Sequence, residues 1–134
     1  MRWIVLVVLV FAFYAPSHSA AATTKSVYLA DCGLAPKVKP AVIVLLCGDG
    51  AEGAKNLRWT GWGGRSAHAT GTGWQRDCTP DCASGHDNFF KAWVVASGTR
   101  ACADGTLEYA SVKYTFLVPG KNETNTVEYD CVKR

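Results

Sequence analysis

Ala67-His68-Ala69-Thr70-Gly71-Thr72-Gly73-Trp74 alternates small and larger residues. With a period of two, Ala67, Ala69, Gly71 and Gly73 share one face, and His68, Thr70, Thr72 and Trp74 share the other. That is a β-strand pattern with one nearly bare face. A bare face lets a bulky group pack directly on the backbone. Trp59 or Trp93 is expected to supply that bulk, and the polar face with Trp74 is expected to point outward.

The same punctuation runs outward from this stretch. Residues 25–30, 40–47, 55–62, 66–74, 89–96, 107–118 and 126–131 read as strands separated by Gly, Pro, Asn and Asp. The run 40–47 (PAVIVLLC) is continuous, apolar and β-branched, so it is expected to be buried on both faces. In 107–118, Val112, Tyr114, Phe116 and Val118 fall on one face by period two. Cys47-Gly48-Asp49-Gly50, Asp104-Gly105 and Pro119-Gly120-Lys121-Asn122 supply turns. No window of a dozen residues shows a helical period. About seven short strands with frequent turns predict an all-β fold, an antiparallel β-sandwich stapled by disulfides.

The N-terminus predicts the compartment. One positive charge at Arg2 precedes an apolar run of about 15 residues, then Pro16 and a small-residue exit (SHSAAA). A spanning helix needs about 20 apolar residues, so this pattern reads as a secretory signal rather than an anchor. The expected division is a signal peptide over 1–22 and a single secreted β domain over 23–134, with no membrane span after signal removal.

All six cysteines (Cys32, Cys47, Cys78, Cys82, Cys102 and Cys131) follow that segment. An even count in an exported chain predicts a disulfide framework. Zinc is the alternative, but no second Cys pair or His pair follows Cys78 and Cys82 at finger spacing. Six cysteines allow 15 connectivities, and spacing does not choose among them. The net charge is +3, and no Lys/Arg cluster stands along the chain. The expectation is therefore no nucleic-acid partner.

Four elements in order have a familiar look: Cys47-Gly48-Asp49-Gly50; Leu57-x-Trp59-x-x-Trp62-Gly63; Ala69-Thr70-Gly71-Thr72-Gly73; and Asp77-Cys78-Thr79-Pro80-Asp81-Cys82-Ala83-x-Gly85. Together they resemble small secreted proteins common in high-GC Gram-positive bacteria. The match covers roughly residues 38 to 116. Its most specific part is Cys-x-Pro-x-Cys-Ala-x-Gly. Members often carry Asn just before the Asp-Cys, where this chain has Arg76. The family has no assigned activity, so the resemblance implies export and a shared fold and transfers no catalytic residue. In a eukaryotic secretory pathway Asn122-Glu123-Thr124 would read as a glycosylation acceptor.

The chemistry-bearing residues are sparse. His18 leaves with the signal, so His68 and His86 are the candidate bases, with Ser66, Ser84, Ser97 and Ser111 as candidate nucleophiles. No Gly-x-Ser-x-Gly elbow is present. Asp77, Asp81 and Asp87 crowd the loop that holds His86, which allows a carboxylate–imidazole pair. The same residues are also ordinary turn formers. Asp49 joins them as an oxygen ligand, but the Asp-x-Asp-x-Asp-Gly calcium spacing is missing. No cofactor or metal is expected.

Trp59, Trp62, Trp74 and Trp93 are dense for one domain. A flat indole face matches the C–H side of a sugar ring, so exposed tryptophans point to a glycan platform. Trp59 and Trp62, three apart, would face opposite sides of a regular strand. Trp62, beside Gly63-Gly64, and Trp74, on a polar face, are the expected binding pair. The favoured reading is a non-catalytic binding module for a glycan, a cell-surface ligand or an extracellular protein. A small hydrolase using His86 with a neighbouring Asp is the alternative. An enzyme inhibitor presenting the Cys78–Cys82 loop is the third.

Overall fold

The computed structural model describes residues 25–33 and 35–131. The expected signal peptide over 1–22 lies outside them. Seven strands follow in chain order: β1 Val27–Tyr28, β2 Val42–Val44, β3 Glu52–Thr60, β4 Ser66–Arg76, β5 Asp87–Ala101, β6 Leu107–Val118 and β7 Lys121–Glu128. Among the described residues one 3-10 turn, Asp31–Gly33, sits between β1 and β2. The fold is all-β, as the strand periodicity predicts.

The strands form one sheet in the order β1-β6-β5-β4-β3-β2. β7 pairs with β6 from Ser111 to Val118, on the edge where β1 pairs with Leu107 and Glu108. β1 alone is parallel to its neighbour. The two-sheet sandwich is therefore corrected to one curled sheet that wraps its own core. Long central hairpins make the curl. β4 pairs with β5 over eleven residues without a shift in register, and β5 pairs with β6 down to Leu107.

The core lies on the concave side. Ile43, Ala54, Ala67, Ala92, Val94, Ala96, Val112 and Phe116 are each almost or wholly removed from solvent. The bare face of β4 does point inward, with Ala67, Ala69 and Gly73 buried. Trp59 lies on this side in register with Ala69 and packs against the core, but the groups over the two glycines are others. A Cβ at Gly73 would lie 2.4 Å from the Phe116 ring, and one at Gly71 would lie 2.9 Å from Leu57. So Phe116 and Leu57 provide the bulk. Trp93 stands on the opposite face, 47% exposed.

The run 40–47 is also corrected. Only Val42–Val44 forms a strand, and it is the outermost one on its side of the sheet. Ile43 and Leu45 are buried, whereas Val42 and Leu46 are about half exposed. One face packs on the core and the other meets water, so an unbroken apolar run here marks an edge and not a centre.

Between β2 and the β6 edge the curl is closed by side chains. Asp31 accepts the backbone N–H of Val44 at 2.6 Å. Tyr129, just past β7, donates its hydroxyl to the Val44 carbonyl at 2.6 Å. The Cys32–Cys47 disulfide ties the same seam, and Cys102–Cys131 ties the end of β5 to the chain beyond β7. Cys78–Cys82 closes a small ring in the β4–β5 connection. All six cysteines are thus paired, as their even count predicts. Burial pushes the Tyr129 phenol above its ordinary value of 10.0, and the charges of Asp31 and Tyr114 add to the rise. The phenol therefore remains a neutral donor.

Two tests follow from this seam. In the loop-entropy picture the cost of opening a disulfide grows with the span it closes. Replacing both cysteines by serine should lower stability by roughly 2 kcal/mol for Cys78–Cys82, 3 for Cys32–Cys47 and 3.5 for Cys102–Cys131. Chemical denaturation of the three double variants measures the order. Below about pH 10 the Tyr129 phenol is neutral in both folded and unfolded chains. Above it the unfolded chain ionises first, so folding stability falls as pH rises. In Tyr129→Phe that alkaline loss should shrink, with a lower plateau at neutral pH from the missing hydrogen bond.

Candidate functional site

The convex face of the sheet carries the candidate site, and its rows follow from register. Thr60, His68, Val95, Lys113 and Thr126 lie side by side across β3 to β7. The next row is Arg58, Thr70, Trp93, Thr115 and Thr124. Beyond it come Lys55, Thr72, Lys91, Leu117 and Asn122, then Gly53, Trp74 and Phe89. Trp93 occupies the centre. An open groove of about 370 Å³ lies against it, lined by the side chains of Arg58, Thr60, His68, Thr70 and Val95. Phe89 is 54% exposed on the same face, and Lys55 Nζ rests 4.2 Å from its ring centroid.

The cations of β3 owe their positions to a bulge. Lys55 and Arg58 are three residues apart, which on a regular strand would aim them at opposite faces. The β3–β4 register shifts between them: Lys55 pairs with Thr72 and Arg58 with Thr70, so one residue of β4, Gly71, faces two of β3. Asn56 takes φ +56° there, in the left-handed region that Asn tolerates better than most residues. The extra residue returns Arg58 to the convex face and turns Leu57 into the core. Gly71 makes room for it, since a Cβ there would sit 2.6 Å from the Lys55 carbonyl oxygen.

The expected tryptophan pair does not assemble. Trp62 lies in the β3–β4 connection and Trp74 eight residues along β4 from Ser66, roughly 25 Å away along the strand. Trp62 is half-buried against the core, edge-on to Trp59 and Tyr109 with centroids at 4.8 and 5.2 Å. Its indole N–H donates to Val27 O, and that of Trp59 to Pro40 O. Trp59 and Trp62 share one side because β3 ends at Thr60, so the strand rule does not reach Trp62. Trp74 does lie on the outward face. It is half-buried, its N–H donates to Gly50 O, and its ring lies over Gly53, where a Cβ would be only 2.1 Å away. The exposed indole is Trp93, whose alternation with buried Ala92 and Val94 was legible in 89–96.

The catalytic candidates are engaged elsewhere or isolated. Asp77 accepts the Thr79 N–H, Asp81 accepts both the N–H and hydroxyl of Ser84, and Asp87 pairs with Arg76 at 2.9 Å. The Ser84 hydrogen bonds hold the Asp81 carboxyl below its usual range. The His86 ring makes no side-chain hydrogen bond to any described residue; its carbonyl accepts the Asp77 N–H. Ser66 Oγ lies 3.4 Å from His68 Nε2 on the convex face, but the outward residues beside that ring on β3, β4 and β5 (Arg58, Thr60, Thr70, Trp93, Val95 and Ser97) include no carboxylate to orient it. Cys102, Glu108 and Cys131 gather within 4.8 Å, yet both sulfurs are spent in one disulfide and offer no thiolate to a metal. No family model, curated protein or solved structure matches the chain.

Two substitutions separate scaffold from surface. Gly71→Ala should cost about 1–3 kcal/mol by thermal unfolding, because backbone must move to admit the methyl group. Trp93→Ala should stay within about 1 kcal/mol of wild type, since the indole stands on the surface.

Proposed function

We propose that the protein is a secreted, non-catalytic binding module that takes a glycan across the convex face centred on Trp93. One observation carries the reading. A large indole, 47% exposed, stands mid-sheet beside a groove lined with threonine hydroxyls, Arg58 and His68. Leaving such a residue in water forgoes burial worth roughly 2 kcal/mol. Its flat face offers the C–H side of a sugar ring an apolar surface, while the surrounding donors and acceptors meet ring hydroxyls. Neighbouring strands hold each side chain in register, so little ordering is needed on binding. Three disulfides fit an oxidising, extracellular compartment, and the resemblance to exported bacterial proteins agrees with it.

Inhibition of an enzyme is the second reading, and it has its own observation. Every residue of 76–84 is exposed, and the Cys78–Cys82 bridge cross-braces the tip. Docking through that loop would make recognition sensitive to Pro80→Ala and indifferent to Trp93→Ala.

The test is equilibrium binding of the oxidised protein to a panel of immobilised polysaccharides. Trp93→Ala should weaken binding by at least tenfold while melting near wild type. Trp62→Ala should lose stability instead, because its indole packs on the core. Full binding by the Trp93 variant would remove the site.

A further inference from the structure

We infer that the ligand of the Trp93 face is an anionic glycan, one whose rings carry carboxylate, sulfate or phosphate groups; this rests on the binding reading above. The distribution of charge points to it. Lys55, Arg58, Lys91 and Lys113 project from the three rows that surround Trp93 on β3, β5 and β6. None of the four forms an ion pair with a described residue; the two pairs found are Arg76–Asp87 and Lys121–Glu123. No Asp or Glu stands in the four cross-strand rows.

The carboxylates have gone elsewhere. Asp31 and Glu108 are buried. Glu123, on the concave side of β7, accepts from Gln75 and pairs with Lys121. Asp77, Asp81 and Asp104 cap turns. A net charge of only +3 therefore conceals a cluster of four cations around Trp93; the outward carboxylates lie beyond these rows, Glu128 opposite Ser111 and Asp87 paired with Arg76. Unpaired cations on neighbouring strands repel one another and raise the local potential, which an anionic ligand relieves. Arg58, beside the groove, presents the planar fork that matches carboxylate, sulfate and phosphate.

A sugar polymer suits the face better than a single-stranded nucleic acid. Base stacking along a strand uses successive free aromatic faces. Here Phe89 and Trp93 are four residues apart, roughly 13 Å, and Lys55 covers the Phe89 ring. One indole stays open, ringed by Thr70, Thr115 and Thr124, whose hydroxyls suit a polyhydroxylated ligand.

The experiment compares equilibrium binding of the oxidised full chain to polygalacturonate, to neutral dextran and to oligo(dT), each at low and high salt. Polygalacturonate should bind at least tenfold more tightly than dextran, and the difference should collapse as salt screens the face. Each exposed pair is worth little alone, so the combined variant Arg58→Gln, Lys91→Gln, Lys113→Gln should lose about tenfold for polygalacturonate and nothing for dextran. Equal, salt-insensitive binding of both polysaccharides, lost in Trp93→Ala, overturns the anionic assignment and leaves the glycan module standing. Tighter binding of oligo(dT) than of either polysaccharide overturns both in favour of nucleic acid. Binding to none of the three overturns both as well. The salt and dextran arms use the wild-type protein, so they decide the matter even if the triple variant folds poorly.

Discussion

Steric emptiness on the concave face of β4 is the constraint from which the rest of the structure follows. Ala67, Ala69, Gly71 and Gly73 leave that face almost without side chains, so the sheet can curl until Phe116 of β6 lies on the backbone of Gly73. A larger residue at either glycine would hold the layers apart. The same emptiness reaches the other side of the sheet. Only a glycine at 71 lets the bulged Lys55 carbonyl approach, and the bulge turns Arg58 outward to stand beside Lys55. Core packing on one face and charge placement on the other thus depend on the same missing methyl group.

A single curled sheet leaves two edges, and unpaired edge groups invite association with other chains. This chain covers one of them with residues from before β2 and beyond β7. Asp31 and Tyr129 take the N–H and the C=O of the same residue, Val44, with the Cys32–Cys47 bridge alongside. The N–H acceptor is a carboxylate and the C=O donor a phenol kept neutral by burial, so both bonds form in a site largely shielded from water. This polar clasp replaces the second sheet that a sandwich would use to cover the core.

Much of the fold is legible from alternation alone, because period two reports face directly. The bounds of β6 coincide with the 107–118 run, and the bare face of β4 is the buried one. What fails is whatever depends on where a strand sits in the sheet. PAVIVLLC looks central because burial and apolarity usually agree, yet it lies at an edge with Val42 in water. Disulfide pairing was closed to the sequence for the same reason. The tryptophan pair fails to assemble for a different reason. Trp62 and Trp74 stand out by their neighbours in the chain, whereas Trp93 is surrounded by residues from β3, β4, β6 and β7. Asn56 and Gly71 were the available signals for the bulge. Read together they would have put Lys55 and Arg58 on one face.

The scattered charges carry the same lesson into energetics. A search along the chain for a basic run finds nothing, because the cations come one or two per strand and meet only across the sheet. Assembling them costs stability through mutual repulsion, which a neutral scaffold of this size could have avoided with one carboxylate per row. The domain instead places most of its acids at turns, in the seam and on the concave side, and keeps Glu128 and Asp87 at the ends of the convex face, outside the rows around Trp93. Disulfides and a tightly packed concave core offset the repulsion on the convex face. A scaffold that concentrates its stabilising contacts on one side can leave the other charged and open to solvent, which is the division of labour expected when that open side is the one that binds.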